Sequence, residues 1–322
     1  MSDHPPIETV GLASAEPLQP ASPPRFLGLT ERQLAFVLLA LTPAFFCSNM
    51  LVARATHDLI PPVALAFWRW SVTFVLLSPL TLSVLWRHRF AIRREWLDLL
   101  ILGALGMGVC GAFVYIGADS TTATNIGLLY AASPILIVLG ARLFYGEALS
   151  ALQGLGVAIS LLGVFAIICK GDPNILLELR FVVGDLWIAA ASVGWAAYSL
   201  LLRHRPSGMP MITRFAAIVA GGLIILLPFY FGEMAAGELL VWNTTTIASI
   251  LFLAVVPSCG AYLSYARIQR SLGTGPTSLL MYLLPLYNGV LAFLLLGETL
   301  EFYHLIGAAM VLPGIYLATR KG

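Results

Sequence analysis

Charge is what this sequence has least of. Only 11% of its 322 residues are Asp, Glu, Lys or Arg, 18 basic against 16 acidic, whereas a soluble domain carries about 25%. A surface facing water cannot be covered at that density, so the 59% of hydrophobic residues must in large part face lipid. The net charge of +2, with basic residues in short clusters between long uncharged runs, excludes the continuous basic stripe that nucleic acid requires. Cysteine is scarce as well. Cys47, Cys110, Cys169 and Cys259 lie far apart and form no CxxC pair, which argues against a disulfide framework or a zinc site and for buried free thiols. There is no GxxxxGK(S/T) loop, no HExxH and no GxSxG. The chain is therefore expected to hydrolyse no ATP, to act as no enzyme and to need neither metal nor cofactor.

Long uncharged runs take the place of what is missing. They cover residues 33–53, 59–86 (interrupted only by Arg69), 99–118, 120–141, 148–169, 186–202, 215–232, 239–266, 271–297 and 302–319. Each is near the roughly 20 residues an α-helix needs to cross the hydrocarbon of a bilayer. A transmembrane β-barrel would alternate apolar and polar residues over strands half as long, and these runs do not alternate. The expected fold is all-α and integral to the membrane, with ten transmembrane helices. Residues 1–28, rich in proline and lacking a basic segment followed by an apolar one, read as a disordered cytoplasmic tail and not as a cleaved signal. With ten spans both termini share one side. Placing them in the cytoplasm leaves only Arg54, Lys170 and Arg180 outside, against fourteen Lys and Arg inside and Arg69 within a span; this is the orientation the positive-inside rule favours.

The chain also repeats itself. A shift of 149 takes Arg54 to Arg203, Pro61 to Pro210, Pro79 to Pro228 and Cys110-Gly111 to Cys259-Gly260. After a two-residue slip the shift is 151, and it takes Pro134 to Pro285, Gly146-Glu147 to Gly297-Glu298, Gly156 to Gly307, Gly163 to Gly314 and Lys170-Gly171 to Lys321-Gly322. Two halves of five spans, 33–171 and 183–322, follow. Because five is odd, the second half must insert inverted relative to the first, the arrangement of many carriers that work by alternating access.

The proline-containing fourth spans ending in Gly-Glu (Pro134 to Gly146-Glu147, Pro285 to Gly297-Glu298) and the small-residue fifth spans after them (Gly154, Gly156, Gly163; Gly307, Gly314) resemble the drug/metabolite transporter superfamily, in its ten-span branch with two EamA-type repeats. The likeness covers nearly the whole chain from Gln33. The mid-span aromatic residues and the polar tail before the first span are most similar to YddG-type amino-acid exporters. The resemblance implies a monomeric carrier in the bacterial inner membrane whose partners are lipid and a small-molecule cargo, amino acids first. The superfamily also moves nucleotide sugars, sugar phosphates, nucleobases and cationic drugs.

Candidate site residues are the polar and aromatic groups inside the runs. Arg69 is an intramembrane cation, which is costly and normally faces the bundle interior or water. It either attracts a substrate carboxylate, or it snorkels to the interface or bonds backbone carbonyls, with Trp68 and Trp70 beside it in an aromatic belt. Phe46 and Asn49 in span one have Trp195 and Tyr198 as repeat mates in span six, and each pair shares one helical face. Tyr115, Tyr262 and Tyr265 come from spans three and eight; Asn125, Tyr130, Tyr282 and Asn288 come from spans four and nine. These types suit the wall of an amino-acid-sized cavity, mostly apolar with a few hydrogen-bonding groups, although aromatic residues also fill cores and Asn also joins helices. Pro134 and Pro285 are candidate gate or hinge residues. Glu147 and Glu298 are read as caps of the helices that follow them, and the small residues of spans five and ten as sites of close helix approach. A mid-span carboxylate, which a cationic drug would want, is missing.

Overall fold

The computed structural model describes residues 28–56, 58–121, 123–148, 150–177, 182–296 and 301–319. Residues 1–27, Gly297-Glu298 and Lys321-Gly322, on which several expectations rested, lie outside the described residues. The described residues are mainly helical: α1 (Glu31–Ala55), α2 (Pro62–Arg87), α3 (Arg89–Ala118), α4 (Ala123–Ala131), α5 (Ser133–Tyr145), α6 (Ala151–Ile168), α7 (Val183–His204), α8 (Met211–Ala235), α9 (Thr244–Leu272), α10 (Thr274–Ser278), α11 (Leu280–Leu296) and α12 (Phe302–Thr319). Seven of them, α1 to α3 and α6 to α9, are long and apolar enough to cross a membrane. The remaining three runs appear as the broken pairs α4–α5 and α10–α11 and as α12, which is 18 residues long.

Both breaks have local causes. Pro134, second residue of α5, has no N–H for the carbonyl of Tyr130, and the helix is interrupted at Ala132. The second break does not fall at the matching proline. It lies at Leu279, while Pro285 sits inside α11. There the hydroxyls of Thr277 and Ser278 bond back to the carbonyls of Gly273 and Gly275, a competition that disturbs helices. The two prolines thus do not interrupt their helices at equivalent positions.

The Gly-Glu turn after α5 is a C-cap. Gly146 adopts φ 67°, where a Cβ is disfavoured, and the N–H groups of Gly146 and Glu147 close onto the last carbonyls of α5. Glu147 does not cap α6. Ser150 and Gln153 form a reciprocal capping box there, leaving the Glu147 carboxylate free to pair with His204 Nε2 at 2.9 Å.

Repeat mates meet each other. Gly156 and Gly163 of α6 lie against Gly314 and Gly307 of α12 in that order, so these helices run antiparallel. The shift of 151 converts each contact into the other with the roles exchanged, as a two-fold axis between them requires. Helices α2 and α8 also run antiparallel: Val63 and Ala64 donate backbone N–H bonds to Glu233, and Trp68 Nε1 donates to the Tyr230 hydroxyl. Phe46 packs edge-on against Trp195, its own mate, at 5.4 Å between ring centroids. The equivalence extends to backbone form. Helix α3 is π-helical over Ala104–Phe113 and α9 over Ala254–Ala261, and the 149 shift superposes these stretches within a residue.

Large apolar side chains such as Leu80, Leu143, Phe144, Leu162 and Leu294 are exposed around the bundle, an outer face suited to acyl chains. The close approach of α6 and α12 depends on Gly156 and Gly163, two turns apart, and not on Gly154, around which a Cβ would meet nothing within 4 Å. A Cβ on Gly156 would lie 2.5 Å from the Gly314 carbonyl oxygen. Gly156→Ala is therefore expected to cost about 1–3 kcal/mol by overpacking and to lower the melting temperature in detergent. Gly154→Ala should leave it unchanged. Equal melting of the two variants would remove α6–α12 packing from the account.

Candidate functional site

The buried charge expected from the sequence is at the centre of the bundle. Arg69 is 2% exposed, so it does not snorkel, and it hydrogen-bonds to the side chains of Asn49 and Tyr115. Its Nη1 donates to Asn49 Oδ1 at 2.5 Å and to the Tyr115 hydroxyl at 2.6 Å, and that hydroxyl donates to Asn49 Oδ1 at 2.6 Å. Helices α1, α2 and α3 thus meet in one closed polar triad. The guanidinium also lies over the Trp70 ring at 4.5 Å, a placement that stabilises a desolvated cation. None of the ion pairs among the described residues includes Arg69, and its Nε is buried without a partner. The repeat mate of Arg69 is Ile218, which is 1% exposed, so the charge is not repeated at the equivalent position of the second half.

Next to the triad is an aromatic cluster. Trp195 contacts Phe46, Tyr198, Tyr262 and Tyr265 with ring centroids 4.8–5.7 Å apart. Tyr262 in turn meets Trp70 at 5.0 Å and Phe215 at 6.0 Å. Local backbone makes the approach possible. A Cβ on Gly106 would lie 2.8 Å from the Tyr198 ring and one on Gly111 would lie 3.2 Å from Trp70 Nε1, both in the π-helical stretch of α3. The Tyr262 hydroxyl donates to the Gly106 carbonyl at 2.8 Å. Tyr265 bonds Ser199 at 2.6 Å, and Gln269 donates to the carbonyl and hydroxyl of the same serine. Buried polar atoms normally find partners, yet Trp70 Nε1, Trp195 Nε1, Ser258 Oγ and the Tyr282 hydroxyl are buried without one.

Of the residues expected at the site, the structure brings together Phe46, Asn49, Arg69, Tyr115, Trp195, Tyr198, Tyr262 and Tyr265. Tyr282 is fully buried in α11, and Tyr130 is partly buried in α4. Asn288 is not at the site: six residues beyond Tyr282, it falls on another face of α11 and is exposed. The side chain of Asn125 lies outside the described residues. Trp70 is no belt residue. It is 0% exposed and packs in the cluster, whereas Trp68 stays at the periphery with Tyr230 and Trp242. Phe215 and Ser199 carry no signal in the sequence, because in a run apolar on every side the periodicity does not mark which face is inside; Gln269 falls between two runs, where a polar residue reads as loop. Asn243 is a helix cap: its side chain accepts from Thr246 N at the start of α9.

The profile of the EamA-like transporter family matches this chain twice, over residues 33–169 and 182–320. The chain belongs to the EamA-like transporter family. Like the rest of that family, it falls in the drug/metabolite transporter superfamily and is a transporter. An uncharacterized transporter of Archaeoglobus fulgidus is 29% identical over 88% of this chain and 97% of its own length. A Salmonella typhimurium protein named "probable amino-acid metabolite efflux pump" is 25% identical over 84% of this chain and 89% of its own. A Streptantibioticus cattleyicolor protein named "probable terminal-alkyne amino-acid exporter" is 26% identical over 69% of this chain and 72% of its own. A crystal structure at 18% identity shares the fold, with a TM-score of 0.69 over 89% of this chain and 96% of that one.

Within this EamA fold the triad is testable by a single oxygen. Tyr115→Phe keeps the ring but takes one of two hydrogen-bond partners from a buried guanidinium, at a cost of about 1–3 kcal/mol. The melting temperature in detergent should fall accordingly. A variant that melts with the parent would show that the triad does not hold the charge.

Proposed function

We propose that the protein is a secondary transporter that exports small neutral amino acids, aromatic ones among them, across the bacterial inner membrane. One observation carries this reading: a buried guanidinium with no acidic partner among the described residues, set beside a cluster of seven aromatic side chains. Such a charge favours an anionic group brought to it, and an amino acid supplies a carboxylate. The tyrosine and tryptophan surfaces would accept varied side chains by contact area. A cationic drug would meet charge of its own sign. The names of the Salmonella and Streptantibioticus relatives support amino acids as cargo and export as direction.

The transport cycle follows from the halves. The antiparallel course of the mates α6 and α12, and of α2 and α8, supports two inverted units, 33–171 and 183–322; ten spans, both termini in the cytoplasm and a monomer as the working form complete the proposal. In that orientation the bond of Glu233 to the start of α2 ties the outer ends of the halves. Two cavities, of about 350 and 330 Å³, then lie toward the cytoplasm, the side from which an exported solute enters. Rocking of one half against the other would carry the cargo past the aromatic cluster. The driving force is the substrate gradient or a coupled ion.

Counterflow in proteoliposomes tests the reading. Internal unlabelled phenylalanine or leucine should drive uptake of labelled amino acid, and Arg69→Gln should reduce it at least about tenfold, the loss expected for one charge-assisted contact. Flux confined to sugars, nucleobases or cationic drugs would contradict the amino-acid assignment. Trp195→Ala and Tyr282→Ala should change the ranking of amino acids without changing expression. An unaltered ranking in both would remove those two side chains from the site.

A further inference from the structure

The second half carries its own inward-placed arginine, one turn out of register with the first. Arg214 on α8 corresponds to Leu65, and Arg69 on α2 corresponds to Ile218, so each of these mated helices has one arginine where the other is aliphatic. Arg214 is held in place. Its two terminal nitrogens donate to the carbonyls of Leu202 and Arg205 at the end of α7, at 3.2 and 2.5 Å, and its Nε is buried without a partner. It lines the cavity of about 330 Å³ together with Arg203 and Arg270, which are exposed, while Tyr198, Ile218 and Gln269, all nearly fully buried, form its inner wall. No acidic residue lines it among the described residues. Tyr198 is the repeat mate of Asn49, which holds Arg69. Phe215, adjacent to Arg214, contacts Trp70 and Tyr262 at 6.3 and 6.0 Å. The aromatic cluster therefore separates two arginine-bearing positions, one with Asn49 and one with Tyr198.

We propose that this cavity is a second carboxylate-binding station, the cytoplasmic loading site, where Arg203, Arg214 and Arg270 hold the solute's carboxylate before it passes the aromatic cluster to Arg69. The proposal rests on the amino-acid reading above for its natural ligand. Its chemistry needs only an anion of carboxylate size. Three cations on a concave wall with apolar sides, the nearby carboxylates of Glu95 and Asp98 standing outside the lining, focus the local field and raise the local concentration of anions. The positive-inside rule accounts for arginines near this face, but it does not require a cavity-lining arginine to be tethered to helix-end carbonyls with its Nε buried and unpartnered.

A thiol on the rim reads the station directly. In Ser207→Cys, the anionic sulfonatoethyl methanethiosulfonate should react about tenfold faster than its trimethylammonium counterpart at low salt, above the reaction of the chain's own thiols. The preference should collapse in the added double substitution Arg203→Gln, Arg270→Gln, which leaves the carbonyl-bonded Arg214 in place. Benzoate and phenylalanine should protect the thiol and phenethylamine should not, in vesicles of phosphatidylcholine alone. Equal rates for the two reagents, or protection by phosphatidylglycerol but by no soluble carboxylate, would overturn the proposal, the latter assigning the cavity to a lipid headgroup. If benzoate protects while the parent protein shows no amino-acid counterflow, the station stands and the amino-acid reading fails. If counterflow occurs without charge preference or protection, the reverse holds.

Discussion

A cation kept inside an apolar bundle constrains everything near it. Inserting an arginine at mid-membrane depth costs about 2.5–3.5 kcal/mol on translocon scales, and the cost stays moderate only if the guanidinium keeps its hydrogen bonds. Three helices are committed to that task. Helix α1 supplies Asn49, α3 supplies Tyr115, and α2 supplies Arg69 itself with Trp70 beneath it. The bonds are all to neutral groups, so the charge is solvated by the protein but not neutralised. That distinction separates a structural salt bridge from a charge left able to attract an anion.

The surrounding architecture explains how such a triad can sit next to a dense aromatic cluster. The π-helical stretches of α3 and α9 fall at repeat-equivalent positions, the first of them against the cluster, and π-helical turns inside α-helices recur at functional sites. Glycines in the first stretch let the Tyr198 and Trp70 rings lie against its backbone, and a carbonyl from the same stretch accepts the Tyr262 hydroxyl. Away from this centre, α6 and α12 are joined through glycines that leave no space for a Cβ. The dense glycine contact and the polar, aromatic core divide the bundle into a tightly packed edge and a centre with unpartnered polar atoms.

Much of this was legible in the sequence. The lack of charge marked a membrane protein, and subtracting positions exposed the repeat. Mid-run polarity picked out Arg69, Asn49 and Tyr115, which the structure joins. What failed was information that the pattern does not carry. Trp70 looked like a belt residue because it neighbours Trp68, yet one step along a helix turns a side chain by about 100°, and the two rings go to different places. Glu147 looked like a cap because it follows a helix end, but Ser150 with Gln153 meets that need three residues later. Gly154 looked like part of the packing stripe, whereas the two-turn spacing of Gly156 and Gly163 is the one used. Both fourth spans carry a proline, yet only one of the two helix breaks falls at it, since hydroxyl back-bonding at Thr277 and Ser278 disturbs the other helix away from Pro285.

The central claim is that Arg69 is a charge held for a carboxylate. Equilibrium competition by analogues that differ only in that group tests it most directly. With labelled phenylalanine bound to the purified protein, unlabelled phenylalanine should displace the label, whereas phenylalaninamide and phenethylamine, equal in ring but lacking the carboxylate, should not. In Arg69→Gln the difference among the three should vanish. If the amide and the amine displace the label from the parent protein as well as phenylalanine does, Arg69 does not recognise a carboxylate and the account is wrong.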